Sequence, residues 1–99
     1  KLPQFPEVQR DLAVIIPKTT NWADLEKVIK KGIDSKIFLG CDVFDLYEGE
    51  HVQEGYKSVA FRVKMQDSNS TLTDEAIETQ MANLRAVLKK NVTELSFRE

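Results

Sequence analysis

The stretch VFDLYEGE, Val43 to Glu50, sets a carboxylate and a phenol two residues apart, at Asp45 and Tyr47. Successive side chains of a strand point to opposite faces, so Asp45 and Tyr47 are expected on one face and Phe44 and Leu46 on the other. Hydrophobic packing does not call for a carboxylate beside a phenol. A flat ligand with hydrogen-bonding edges does, because the ring offers a stacking surface and the carboxylate an acceptor. Downstream, YKSVAFRVKM at Tyr56 to Met65 alternates, with Val59, Phe61, Val63 and Met65 on one side and Ser58, Ala60, Arg62 and Lys64 on the other. If Phe44 and Phe61 face a core, then Asp45, Tyr47, Ser58, Ala60, Arg62 and Lys64 share the opposite face. Such a set suits unstacked nucleic-acid bases: the ring stacks, polar groups read base edges, and Arg or Lys neutralises phosphate. The competing reading is a solvated face on which Tyr47 packs against a neighbouring domain.

Other chemistry is sparse. The sequence has no P-loop, dinucleotide glycine fingerprint or zinc spacing, and its single histidine, His51, sits in a glycine-flanked loop. Asp74 and Glu75 suit the start of a helix, and Glu48 and Glu50 suit a turn. With no nucleophile and base in a shared pattern, catalysis is not expected of this domain. The lone Cys41 excludes an internal disulfide, is compatible with a reducing cytosol and reads as a small buried hydrophobe. A net charge of −2 excludes nucleic-acid binding through bulk basicity, so any such binding must be local.

The elements that must position these residues follow from periodicity. With 41% hydrophobic and 30% charged residues the composition is that of an ordinary globular chain. A chain of 99 residues supports one two-layer core, so residues 1–99 are expected to form a single domain able to fold by itself. The start at Lys1 points to a piece of something longer. No basic-then-apolar leader is expected, and no apolar run approaches the roughly 20 residues that span a bilayer. Arg10 to Pro17 is apolar on both faces, as a central strand requires. A helix follows, with Asn21 as N-cap, Trp22, Leu25, Val28 and Ile29 at helical spacing, and Gly32 as its stop. IFLGCDVFDLYEG, Ile37 to Gly49, reads as a strand in which Gly40 and the phase of Cys41 and Asp42 predict a bend or bulge before Val43. It joins the Tyr56–Met65 strand through a loop carrying Gly49 and Gly55. A second helix starts from Thr73 as N-cap, carries the stripe Ile77, Met81, Leu84 and Leu88, and closes at Lys89 and Lys90. The last strand alternates Leu95 and Phe97 with Glu94, Ser96 and Arg98. The order βαββαβ is that of an α+β, ferredoxin-like fold: a four-stranded antiparallel sheet with two helices on one face and the other face open.

Several short motifs occur in order along this pattern: FP at Phe5, RD at Arg10, FDLYEG at Phe44, KSVAFRV at Lys57, TLTDE at Thr71, and a near-terminal Arg98. Together they resemble the ferredoxin-fold anticodon-binding domain at the C-terminus of the phenylalanyl-tRNA synthetase beta subunit, over nearly the whole chain. The resemblance implies a tRNA-binding module that contacts the anticodon stem-loop of phenylalanine tRNA. Its partners would be the rest of the beta subunit and the catalytic alpha subunit of a cytoplasmic ligase. It implies no cofactor in this domain, the full enzyme using ATP and magnesium elsewhere. It carries anticodon contact onto Asp45, Tyr47 and Ser58, which makes Tyr47 a stacking platform and Asp45 a base-edge acceptor. Lys57, Arg62, Lys64, Arg10 and Arg98 are further tRNA-contact candidates. Arg10 and Arg98 equally suit structural pairs with carboxylates such as Asp11. The sequence departs from the family pattern at Ser70, where an arginine is common, and at Ala76, which interrupts an acidic run. Alternatives are the same domain fused to a single-chain organellar enzyme, or a ferredoxin-like regulatory domain binding a small metabolite or protein partner. The regulatory domain would dimerise with its ligand and leave no footprint on tRNA.

Overall fold

Strands β1 (Val8–Pro17) and β3 (Tyr56–Met65) pair antiparallel without interruption, from Val8 opposite Met65 to Pro17 opposite Tyr56, in the computed structural model, which describes residues 5–67 and 69–98. β2 (Phe38–Tyr47) lies on the far side of β3, and β4 (Ser96–Phe97) on the far side of β1, giving one antiparallel sheet of order β2-β3-β1-β4. β1 is interior, as its two apolar faces require. Helices α1 (Trp22–Gly32) and α2 (Asp74–Asn91) complete the expected βαββαβ order.

Both helices start where their capping residues dictate. The Asn21 side chain accepts from the Asp24 backbone N–H at 2.9 Å, and the Thr73 hydroxyl accepts from that of Ala76 at 3.0 Å. Leu25 and Ile29 of α1 and Ile77, Met81, Leu84 and Leu88 of α2 bury their stripes against Leu12, Val14, Ile16, Val59, Phe61 and Val63 of the sheet. Trp22 tilts against Phe61, with ring centroids 6.1 Å apart. Gly32 ends α1 for a different reason from the one expected. A Cβ there would lie 2.8 Å from Leu84 Cδ1 and 2.9 Å from Leu84 Cα, so the glycine permits close approach of the two helices. The chain then leaves through Ile33 in extended conformation, without a left-handed stop.

Two departures from the expected strands bear on function. β2 shifts register twice, between Phe38 and Gly40 and again between Val43 and Asp45. The first shift falls at the expected bend. The second inserts Phe44 as an extra residue: Val43 stands opposite Phe61, Asp45 opposite Ala60, Leu46 opposite Val59 and Tyr47 opposite Ser58. Val43, not Phe44, therefore shares the helix-covered face, and the expectation that Phe44 faces the core is corrected. β4 is shorter than expected because Glu94 adopts a left-handed φ of 60°, which delays the alternation until Ser96. Its line still continues to Arg98, whose N–H donates to the Ala13 carbonyl at 2.9 Å.

Candidate nucleic-acid interface

Pairing across the sheet arranges the open face in rows. Tyr47, Ser58, Ile15 and Ser96 lie side by side, as do Asp45, Ala60 and Ala13, and as do Asp42, Arg62 and Asp11. In the first row Ser58 is a buried polar residue, 3% exposed. Its hydroxyl is satisfied by Arg98, whose Nη1 donates to Ser58 Oγ at 3.2 Å from the other side of β1. Tyr47 stands next to Ser58, half-buried, at the end of β2. The turn leaves it room at Gly49, whose φ is 136°. A Cβ on Gly49 would sit 3.4 Å from the phenol oxygen. In the second row Ala60 and Ala13 present little bulk, so the exposed Asp45 carboxylate borders a shallow floor.

The third row is electrostatic. Arg62 donates from Nε to Asp11 Oδ1 at 2.9 Å and from Nη2 to Asp11 Oδ2 at 3.2 Å, a two-point pairing that holds the guanidinium plane. That hydrogen bonding and the carboxylate charge raise the Arg62 pKa above its ordinary value. The guanidinium carbon lies 5.1 Å from the centroid of the Phe44 ring. Lys64 pairs with Asp42 at 3.4 Å, and Lys18, beside the β2 end, with Glu48 at 3.5 Å. All three ion pairs are exposed and each is worth little to stability. Their effect on the face is to offset much of its positive charge.

The eight expected contact residues thus divide. Asp45, Tyr47, Ser58, Arg62, Lys64 and Arg98 lie on the open face. Arg10 stands opposite Val63, and Lys57 opposite Ile16, so both share the parity of core residues and lie on the helix side. Lys57 there borders a hollow with Trp22, Leu46 and Val59, while Arg10 donates to the Gln9 carbonyl at 2.8 Å. Asp11 is the partner of Arg62, and Arg98 is held by a hydroxyl, so among the described residues neither Arg10 nor Arg98 makes the carboxylate pair the sequence allowed. Ser70 donates to the Asp67 carboxylate at 3.3 Å.

Sequence reasoning missed three residues of the face: Phe44, Asp42 and Asp11. The signal for Phe44 lay in the apolar spacing. Cys41 and Val43 are two apart, but the next apolar residue on that side, Leu46, is three on, and a strand keeps its face across such a step only through a bulge. Burial pushes the Cys41 thiol up to about 11, with Glu26 and Asp42 adding to the effect, so it stays protonated and unreactive. The Tyr56 phenol donates to the Glu94 carboxylate, which raises its pKa. Among the described residues, no group of three or more His, Cys, Asp or Glu is placed to hold a metal ion, and no helix is long and apolar enough to cross a membrane.

A sheet with one helix-covered face and one face bearing aromatic, acidic and basic side chains is the architecture of a ferredoxin-fold binding module. Residues 3–95 match the family model of the ferredoxin-fold anticodon binding domain, and the chain belongs to that family. It is 43% identical over 88 residues to the phenylalanine-tRNA ligase beta subunit of Bdellovibrio bacteriovorus, covering 89% of this chain and 11% of that protein. It is 36% identical over 91 residues to that of Porphyromonas gingivalis, covering 92% of this chain and 11% of the relative. With that of Neisseria gonorrhoeae it shares 44% identity over 84 residues, covering 85% of this chain and 10% of the relative. The chain thus spans about a tenth of the length of these curated relatives.

Proposed function

We propose that this domain is one module of a phenylalanine-tRNA ligase beta subunit and holds the anticodon stem-loop of phenylalanine tRNA while chemistry proceeds elsewhere in a cytoplasmic enzyme. The observation that carries this reading is the continuous strip Tyr47–Ser58–Arg98 on the open face, with Asp45 beside it. Tyr47 stacks on a loop base. Asp45 accepts from a base-edge donor, the interaction that distinguishes one base from another. Ser58, buried beneath the strip, accepts from Arg98 and so holds that guanidinium beside Tyr47. Adenylation of phenylalanine, with ATP and magnesium, belongs to the catalytic alpha subunit, and this domain contributes position and discrimination.

Arg62 and Lys64 each face a carboxylate, and the chain is net negative. Affinity therefore rests on stacking and base-edge contacts more than on counterion release, and its salt dependence is shallow. Charging of phenylalanine tRNA and of anticodon-substituted tRNAs by the intact ligase, with Asp45→Ala as the variant, tests the assignment. Asp45→Ala is expected to narrow the difference in kcat/KM between cognate and substituted tRNAs while leaving phenylalanine adenylation unchanged. Unaltered discrimination would contradict the role given to Asp45. A regulatory domain, by contrast, would leave charging of every tRNA the same.

A further inference from the structure

We infer that Phe44 is a second base-stacking platform on the open face, taking a different base of the same single-stranded loop from the one on Tyr47. Arg62 is the positioning residue that holds its ring. The inference rests on the proposed function and extends it to a residue that the strand pattern alone would place in the core.

Three observations support it. The bulge between Val43 and Asp45 turns Phe44 out of the core, and the residue is 52% exposed. A phenyl ring at a bulge without further contact would be free to rotate, but one face of this ring is covered by the Arg62 guanidinium, 5.1 Å from its centroid. That guanidinium is itself fixed by two hydrogen bonds to Asp11. Asp11, Arg62 and Phe44 thus form a chain of contacts, the carboxylate gripping the edge of the guanidinium and the guanidinium lying over the ring of a residue that remains half exposed. Ordering the ring beforehand removes an entropic cost from binding, which is what a recognition platform needs.

The geometry favours a nucleic-acid base over an apolar protein side chain. Phe44 adjoins Asp45 in sequence and on the same face, and Tyr47 follows three residues later. At about 3.3 Å per residue, the two aromatic residues stand no more than roughly 10 Å apart. They flank a carboxylate and a floor of alanines, a polar setting for a flat ligand with hydrogen-bonding edges. The same pairing removes Arg62 from the expected phosphate contacts, because its charge is already answered by Asp11.

The test uses the intact ligase and an anticodon stem-loop RNA of phenylalanine tRNA carrying iodouridine at one loop position at a time, titrated and then photo-crosslinked. Phe44→Leu, which keeps apolar bulk but loses the ring, is expected to raise Kd by roughly 5-fold to 100-fold, whereas Phe44→Tyr should stay within about twofold. One loop position should crosslink to the peptide containing Phe44 in a pattern distinct from that of Tyr47→Leu enzyme. Asp11→Ala, which releases Arg62, should weaken binding in the parent enzyme and have no further effect on Phe44→Leu enzyme. Unchanged Kd in Phe44→Leu enzyme, with binding lost in Tyr47→Leu enzyme, would overturn the second platform and leave the proposed function standing. Unchanged Kd in both would overturn that function as well. Weakened binding with every crosslink at Tyr47 and none at Phe44, or tighter and more salt-dependent binding in Asp11→Ala enzyme, would also overturn the inference.

Discussion

The β1–β3 pair and the edge strand β2 are built to opposite ends. β3 has a hydrogen-bonded neighbour on each side and helices over one face, and five of its ten residues are fully or nearly fully buried hydrophobics or the buried Ser58 in strict alternation from Val59 onward. β2 has one neighbour, two register shifts and a single buried residue, Cys41. Val43, Phe44 and Leu46 are exposed along it. The contrast teaches where recognition chemistry is affordable in this fold. Interior strands are fixed by packing on both sides, and any change of phase there would turn core residues to solvent. An edge strand tolerates a bulge, and the bulge re-aims side chains toward the open face without disturbing the core.

The largest effect that probes this comparison contrasts two phenylalanines. Phe61, fully buried beneath Trp22, is expected to cost about 3–5 kcal/mol of stability when changed to alanine, from lost burial and the cavity left behind. Phe44→Ala is expected to change stability by no more than about 1 kcal/mol, as for an exposed side chain. Denaturant unfolding of the two variants measures both. A Phe44→Ala cost comparable to that of Phe61→Ala would mean that β2 is packed as tightly as β3 and would remove the contrast.

A smaller effect sharpens it at Cys41, where β2 does touch the core. The folded thiol titrates at about 11, against 9.0 for an ordinary thiol. The unfolded chain therefore releases the proton first. Stability from this group is fully present below pH 9 and declines as pH rises toward about 11, because the folded state binds more protons across that interval. The unfolding midpoint of the parent protein is expected to fall more steeply through this window than that of Cys41→Val. Parallel declines would show that the thiol is as accessible as the rest of the edge strand.

The same contrast explains what could be read in advance. The β1 and β3 faces, both N-caps and the α2 stripe were legible because each rests on a local period or a side chain bonding its own backbone. The face that carries Tyr47, Ser58, Arg62 and Lys64 was legible through β3, whose alternation is unbroken. Phe44 was misplaced because a bulge adds one residue without changing composition, and parity counted through it inverts. Lys57 and Arg10 were named as tRNA-contact candidates by motif membership, and their register partners Ile16 and Val63 place them on the core side, away from the open face. The Arg62–Asp11 pair spans 51 positions of sequence, and no local pattern specifies it. Gly32 was read as a helix stop because its packing partner, Leu84, lies on another helix.

The central claim, that the open face holds the anticodon loop through Tyr47, is tested most directly by the affinity of the intact ligase for phenylalanine tRNA when Tyr47 is replaced. Tyr47→Ala is expected to cost about 1–3 kcal/mol of tRNA binding, the worth of one base–aromatic stack, and Tyr47→Phe much less. Melting temperature and phenylalanine adenylation should stay at parent values in both. A Tyr47→Ala enzyme that binds phenylalanine tRNA with parent affinity would contradict the account, as would one whose weakened binding comes with a lowered melting temperature and extends equally to every anticodon variant.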